Sequence, residues 1–318
     1  MIEFKVDADS AGMRLDKFLR KKLERVPVSH LFKMIRTKRI RVNARRAYPD
    51  QPLQAGDAIA VRGTEERLLA PAPSSNRTPV VDVSQLKVLL EDTWMMAIDK
   101  PSGLAVHPGS GISGATLVDQ VRAYLGTYAV RNDFAASPAH RLDRDTSGVV
   151  LVAKRRPAMV RFTELFTHGQ VKKHYLALVK GKMPRLRGII DIALSEHQQT
   201  AASKAQHGVK MQEALTRYRV IGQTKEASLL ECVIETGRTH QIRRHLSAVG
   251  HPIAGDRKYG DFSFNREAKA RWGLRRLFLH AQQIEFPHPE HGGKVQVSAE
   301  LPSELQEAMK RAGLNIDA

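Results

Sequence analysis

Residues 64–83, "TEERLLAPAPSSNRTPVVDV", hold three prolines, two adjacent serines and neither a helical nor a strand period. A single core cannot be threaded through such a stretch. The chain is therefore expected to fold as a small unit over 1–63, a linker over 64–83 and a large unit over 84–318. Charge divides at the same place: residues 1–63 carry 15 Lys and Arg against 7 Asp and Glu, a net +8 of the whole chain's +18. A surface this basic attracts polyanions and releases their counterions on binding, which makes nucleic acid the leading partner class.

Several classes are disfavoured. No stretch approaches the ~18–20 apolar residues of a membrane span. The N-terminus lacks the basic, apolar, small-residue order of an export signal, so a cytoplasmic location is expected. The single cysteine, Cys232, lies in the apolar run "LLECVI" and reads as a buried inert thiol.

In the small unit, Leu15, Phe18, Leu19 and Leu23 recur at helical spacing, with Lys17, Arg20, Lys21 and Lys22 on the opposite face. Pro27 is expected to break this helix and Ser29 to cap a second one marked by Leu31, Met34 and Ile35. "RIRVN" alternates like a strand, and "AGD" turns the chain into "AIAV". Over about residues 13–62 this small α/β module resembles the RNA-binding module first described in a ribosomal small-subunit protein. The resemblance implies that Lys33, Arg36, Arg39 and Arg41, on the second helix and adjoining strand, meet structured RNA.

In the large unit strands dominate from "KVLLEDTWMMAIDK" onward, with helical patches at 116–125, 157–166 and 239–249. Without regular strand–helix alternation this predicts an α+β fold, a mixed and largely antiparallel central sheet flanked by helices and loops. Thr239 is placed to cap a helix ending at Gly250, with Ile242, Leu246 and Val249 buried and Arg243 beside them.

The stretch "HRLDRDTSG" (140–148) concentrates acids, bases and hydroxyls ahead of the apolar run "VVLVA", a buried strand able to hold the loop rigidly at a cleft. It is no aspartic protease signature, because Ser147 separates Thr146 from the glycine. Ser147 also lacks a G-x-S-x-G setting. His240 and His245 do not form H-E-x-x-H, and "GSGISG" (109–114) lacks the G-K-[ST] ending of a phosphate cradle. These residues alone leave Asp143 and Asp145 equally open as the working acid.

Four segments in order, "DKPSGLAVHPG", "HRLDRDTSGVVLVAK", "VKKHYLALVKG" and "ETGRTHQIRRHLSAVGHPIAGDRKYG", resemble the pseudouridine synthases of the ribosomal large subunit class, nearest those acting on 23S ribosomal RNA. With the basic module, the resemblance covers most of residues 13–286. It implies that Asp143 is the essential acid and Asp145 a structural one. It also implies that Tyr175 lies over the uracil and that Arg243 pairs with Asp143, with Arg238 as the alternative. Arg141 would enter the space left by a flipped nucleotide, His140 and Arg238 would contact RNA, and Lys100 and Pro101 would support the cleft.

The implied reaction breaks a glycosidic bond, turns the base and re-forms a bond through carbon 5. It has no net redox change and consumes no water, so neither cofactor nor metal is expected. A carboxylate can attack the ribose or the uracil, or stabilise an oxocarbenium or glycal-forming step; these routes stay open. A desolvated carboxylate tends to protonate unless a cation holds it, hence the arginine. The expected partner is 23S ribosomal RNA or its large-subunit precursor; the oligomeric state stays open, a monomer being favoured. Two other readings are an enzyme of the same family acting on transfer RNA, and a non-catalytic RNA-binding ribosome assembly factor.

Overall fold

The structure is a computed structural model that describes all residues except 1, 8–9, 24–25, 27, 64–80, 85, 110–113, 132–133, 196–210 and 316–318. Pro27, most of the proline-rich stretch and the middle of "GSGISG" thus lie outside the described residues. The chain divides into two compact units, Met1–Val80 and Val81–Ala318.

In the first unit, β1 (Ile2–Lys5) pairs antiparallel with β4 (Ala58–Val61), which pairs with β2 (Ile40–Val42), and β2 pairs with β3 (Arg45–Arg46). Helix α1 (Leu15–Lys22) and helix α2 (Val28–Arg36) pack into the same core, with Val6, Leu23, Val26, Ala47 and Leu53 from the connecting segments. Leu15, Phe18 and Leu19 are fully buried, as their helical spacing requires. Complete burial of each contributes about 1.5–3 kcal/mol. Ser29 falls inside α2, not at its cap, because the helix already starts at Val28. The β2–β3 turn places Asn43 and Ala44 at φ 49° and 62°. That left-handed pair suits the twist of a tight hairpin. Asn43 Nδ2 donates to Asp57 at 2.7 Å, and Asn43 Oδ1 accepts from Ala58 N at 2.8 Å, which holds the turn to β4.

The second unit is built on a ten-stranded sheet. Its strands are β5 (Lys87–Glu91), β6 (Met95–Lys100), β9 (Ser137–Pro138), β10 (Ser147–Ala153), β11 (Lys172–Lys180), β12 (Arg187–Asp191), β15 (Leu215–Gln223), β16 (Ala227–Ile234), β17 (Leu279–Pro287) and β18 (Lys294–Ser298). Two small pairs lie outside it: β7 (Val130–Arg131) with β8 (Phe134–Ala135), and β13 (Leu194–Ser195) with β14 (Met211–Gln212). The order is β12-β15-β16-β11-β17-β10-β6-β5, with β18 on β17 and β9 on β10. Only β10 and β17 pair in parallel among the described residues, so the sheet is mixed and largely antiparallel.

Every residue of β10 is buried. Its alternate side chains feed different cores. Val150 and Val152 join the core containing helices α3 (Leu117–Leu125), α5 (Gln241–Ala248), α6 (Phe262–Trp272) and α7 (Ser303–Arg311). Val149 and Leu151 pack with Phe162 and Leu165 of helix α4 (Arg156–Thr167). A strand covered on both faces explains the unbroken apolar run. Cys232 is completely buried, and burial pushes its thiol up to about 12.

Two expectations for the helix after residue 239 are corrected. It starts at Gln241, and the residue before it is His240 at φ 54°, so Thr239 does not cap it. Val249 is 40% exposed because the helix ends at Ala248, one residue short of it.

Candidate active site

Residues 140–146 form the loop that feeds β10, and the "DKPSG" turn holds it. The buried Lys100 ammonium donates to the carbonyls of Pro101 and Leu104 at 2.8 Å and of Arg144 at 3.0 Å. Ser102 donates to the Asp145 carbonyl at 2.8 Å, and Gly103 N to the Arg144 carbonyl at 2.8 Å. The "DKPSG" turn is thereby sewn to the backbone of Arg144 and Asp145, directly after Asp143. Gly148 permits the close approach beyond the loop: it sits at φ 117°, and a Cβ there would stand 2.1 Å from the Ala281 carbonyl oxygen of β17.

Asp143 projects from this loop into a cleft of about 680 Å³. Its Oδ2 accepts from Arg243 Nη1 at 2.9 Å. The remaining edge of the same guanidinium is taken by Asp256, to which Nε donates at 2.7 Å and Nη2 at 2.9 Å. Asp256 is fully buried at its side chain and also accepts from Lys258 N and Tyr259 N. Burial alone would raise the Asp256 carboxyl, but Arg243 and these two amides outweigh it and hold the group below the usual carboxylate range. Burial opposes charge on Arg243 as well; bonds to both acids override it and raise that group.

Tyr175, on β11, is 6% exposed and lines the cleft beside Asp143. Burial, reinforced by the charge of Asp143, raises its phenol, so the cleft is offered a ring with a neutral hydroxyl. His240 Nε2 lies 3.7 Å from Asp143 Oδ1, and His240 Nδ1 is 3.0 Å from the Tyr259 hydroxyl. The Tyr259 ring packs under the Arg243 guanidinium at 5.1 Å. Burial lowers His240 against the pull of Asp143, so a neutral imidazole borders the acid. Its left-handed backbone is strain held at the centre of the site.

The structure thus brings Asp143, Tyr175 and Arg243 together; Arg238 lines the same cleft but is exposed and donates to the Glu213 carbonyl at 3.1 Å, and it is Arg243 that pairs with Asp143. Arg141 is exposed at the cleft mouth. His140 lines the cleft, but its Nε2 accepts from Leu151 N at 3.0 Å, and burial pushes it down to about 3. A neutral ring tied to the backbone braces the loop and offers no cation to phosphate. The Asp145 side chain is 47% exposed, pairs with Arg144 at 3.1 Å and does not line the cleft. Ser147 contacts His280 at 2.9 Å, but both are buried away from the cleft and Arg276 donates into the same hydroxyl at 2.7 Å, so the pair is structural. Asp256, Tyr259, His240, Phe166 and Lys173 belong to the site and were not singled out in the sequence as parts of it. The sequence marks Asp256 only by its place in the long 235–260 segment.

The family described as RNA pseudouridylate synthase matches residues 95–248, and the S4 domain matches residues 13–59. A ribosomal large subunit pseudouridine synthase C from Vibrio cholerae is 36% identical over 308 residues, 96% of this chain and 95% of that protein. Its counterpart in Escherichia coli K12 is 36% identical over 313 residues, with the same coverage. This chain belongs to the RNA pseudouridylate synthase family. As a pseudouridine synthase it is an isomerase that carries an RNA-binding S4 domain at its N-terminal end. The solved structure of human RNA pseudouridylate synthase domain containing 4 superposes with a TM-score of 0.60 at 26% identity, over 73% of this chain and 95% of that one. Matched residues 95–248 include Asp143, Tyr175 and Arg243; Asp256 and Tyr259 lie just beyond.

Proposed function

We propose that this synthase isomerises uridines of large-subunit ribosomal RNA, 23S RNA in bacteria, with Asp143 as its essential acid. The observation that carries the reading is the contrast between two acids two residues apart. Asp143 enters the cleft with Arg243 at 2.9 Å, whereas Asp145 faces outward on Arg144. The names of the relatives support the choice of RNA. Tyr175 stacks on the extruded uracil, Asp143 acts on the glycosidic bond, and Arg243 supplies the counter-charge while Asp256 fixes its orientation. The chain's own groups move the base and the proton, with no cofactor in the scheme.

Release of tritium from 5-tritiated uridine in unmodified 23S RNA reports the reaction directly, because hydrogen leaves carbon 5 as the new bond forms. Folded Asp143→Asn should be inactive with RNA affinity retained, and Asp145→Asn should keep substantial activity. The reverse pattern would reassign the acid. Activity on transfer RNA with none on 23S RNA would reassign the substrate.

A further inference from the structure

Lys173 precedes Tyr175 by two residues on β11, so the two side chains share the cleft face about 7 Å apart along the strand. Its side chain is almost entirely enclosed, the residue being only 7% exposed. The ammonium has three N–H donors, and one bond accounts for its contacts among the described residues: Nζ donates to the Thr236 carbonyl at 3.2 Å. It lies 5.5 Å from the centre of the Phe166 ring, and no carboxylate comes within ion-pair distance among the described residues. Gly237 borders it as well, a Cβ there standing 3.6 Å from Nζ, and both Lys173 and Gly237 line the cleft. Enclosing a cation without an acid costs folding free energy unless something else recovers it.

We propose that Lys173 binds the backbone phosphate of the nucleotide that enters the cleft. This inference rests on the RNA-modifying reading above. With the uracil on Tyr175, the neighbouring residue on the same strand face is reached by the sugar-phosphate of that nucleotide. The two spare donors and the place of Lys173 in the cleft wall suit a phosphodiester, while the Phe166 face and the Thr236 carbonyl keep the ammonium aimed. Asp143 is committed to Arg243, so the cleft has one cation for the acid and another for the substrate.

Other charged groups near this wall are His140, His168, Glu235 and Arg238. His140 is bonded to backbone and neutral, Glu235 leans 3.8 Å from Arg217, His168 Nδ1 is bonded to the Glu164 carbonyl, and Arg238 is bonded to the Glu213 carbonyl. Burial pushes Lys173 down to about 8, so its charge is present at pH 7 and lost as pH rises through 8.

The test compares full-length wild type, Lys173→Met and Lys173→Arg on unmodified 23S RNA. Lys173→Met should lower kcat/KM at least tenfold, with the loss in KM more than kcat. It should also reduce the slope of log affinity against log salt by about 0.7–0.9, the share of one phosphate contact. Lys173→Arg should restore the slope. A folded Lys173→Met with wild-type KM and salt slope overturns the proposal. Should that variant not fold, the pH profile decides: kcat/KM of wild type should fall above pH 8 while Lys173→Arg stays level. Superimposable profiles overturn the inference, and any fall the two share belongs to the RNA. Absence of pseudouridine from every RNA offered to wild type would instead sink the reading of the substrate, and the salt slope of RNA binding would still judge Lys173.

Discussion

Arg243 Nη1 donates to Asp143 Oδ2 at 2.9 Å, joining residues one hundred positions apart in the chain. The bond is rigid because Asp256 occupies the Nε and Nη2 donors of the same guanidinium. One planar cation therefore sets the position of the cleft acid from a buried anchor.

Replacing that fork by a point charge should separate geometry from charge. Arg243→Lys keeps a cation but cannot grip Asp256 at two points and reach Asp143 as well. An acid displaced by about 1 Å costs roughly 10²-fold in rate. The expected outcome is a single-turnover rate reduced about 100-fold at saturating RNA, with affinity nearly unchanged. A rate within tenfold of wild type would show that charge alone suffices.

Asp256→Asn should cost stability first and rate second, because it leaves a buried guanidinium with a single acid. Breaking such a pair costs about 3 kcal/mol. The folded-state carboxyl of Asp256 lies below its unfolded value, near 4 for an aspartate. Its contribution is thus fully present above the unfolded value and is lost as pH falls through the folded one. Urea midpoints for wild type and Asp256→Asn should differ clearly at pH 7 and converge in acid. A gap that is constant across this range would show that the charge of Asp256 is not what stabilises the wild type.

Lys100 offers a purely structural comparison. Its ammonium satisfies three carbonyls around the Asp143 loop from a fully buried position. Lys100→Met fills similar volume and leaves those carbonyls without their donor, at a cost of roughly 3 kcal/mol. Thermal unfolding should show the loss directly, and hydrogen exchange should show faster opening of residues 143–146. Wild-type stability in this variant would mean that other donors or water replace the ammonium.

The sequence reading and the structure agree where one local pattern settles the outcome. Leu15, Phe18 and Leu19 repeat at helical spacing and are buried. The all-buried β10 reads as an unbroken apolar run. Helices α6 and α7 escaped notice for a physical reason: in α6 the buried residues Phe264, Ala268 and Trp272 make a stripe one residue wide among charges. The sheet order was also not legible, since the parallel contact of β10 with β17 depends on residues more than a hundred positions apart. Within the site, Asp143 and Arg243 carried pattern, whereas Asp256 acts through proximity made by a backbone bend. Gly255 lies at φ 75°, with the Arg276 carbonyl oxygen 2.0 Å from where a Cβ would be. Strain at His240 was equally hidden, because nothing in the letters "THQ" demands a left-handed histidine.

Lys33, Arg36, Arg39 and Arg41 are all exposed, while Met34, Ile35 and Ile40 between them are buried. The intervening burial fixes the backbone that presents the four cations, so they can be changed without touching the core. Each cation that meets an RNA phosphate contributes about 0.7–0.9 to the salt slope of binding. Changing all four to Gln should reduce that slope by up to about 3.6 and weaken binding most at low salt, with little change in thermal stability. Filter binding to 23S RNA over a salt series measures the slope, and single-turnover assays at saturating RNA measure the chemistry. An unchanged slope would remove these residues from the RNA interface. A lowered slope with a saturating rate equal to wild type would make the S4 domain a docking element that delivers RNA to Asp143 without shaping the reaction.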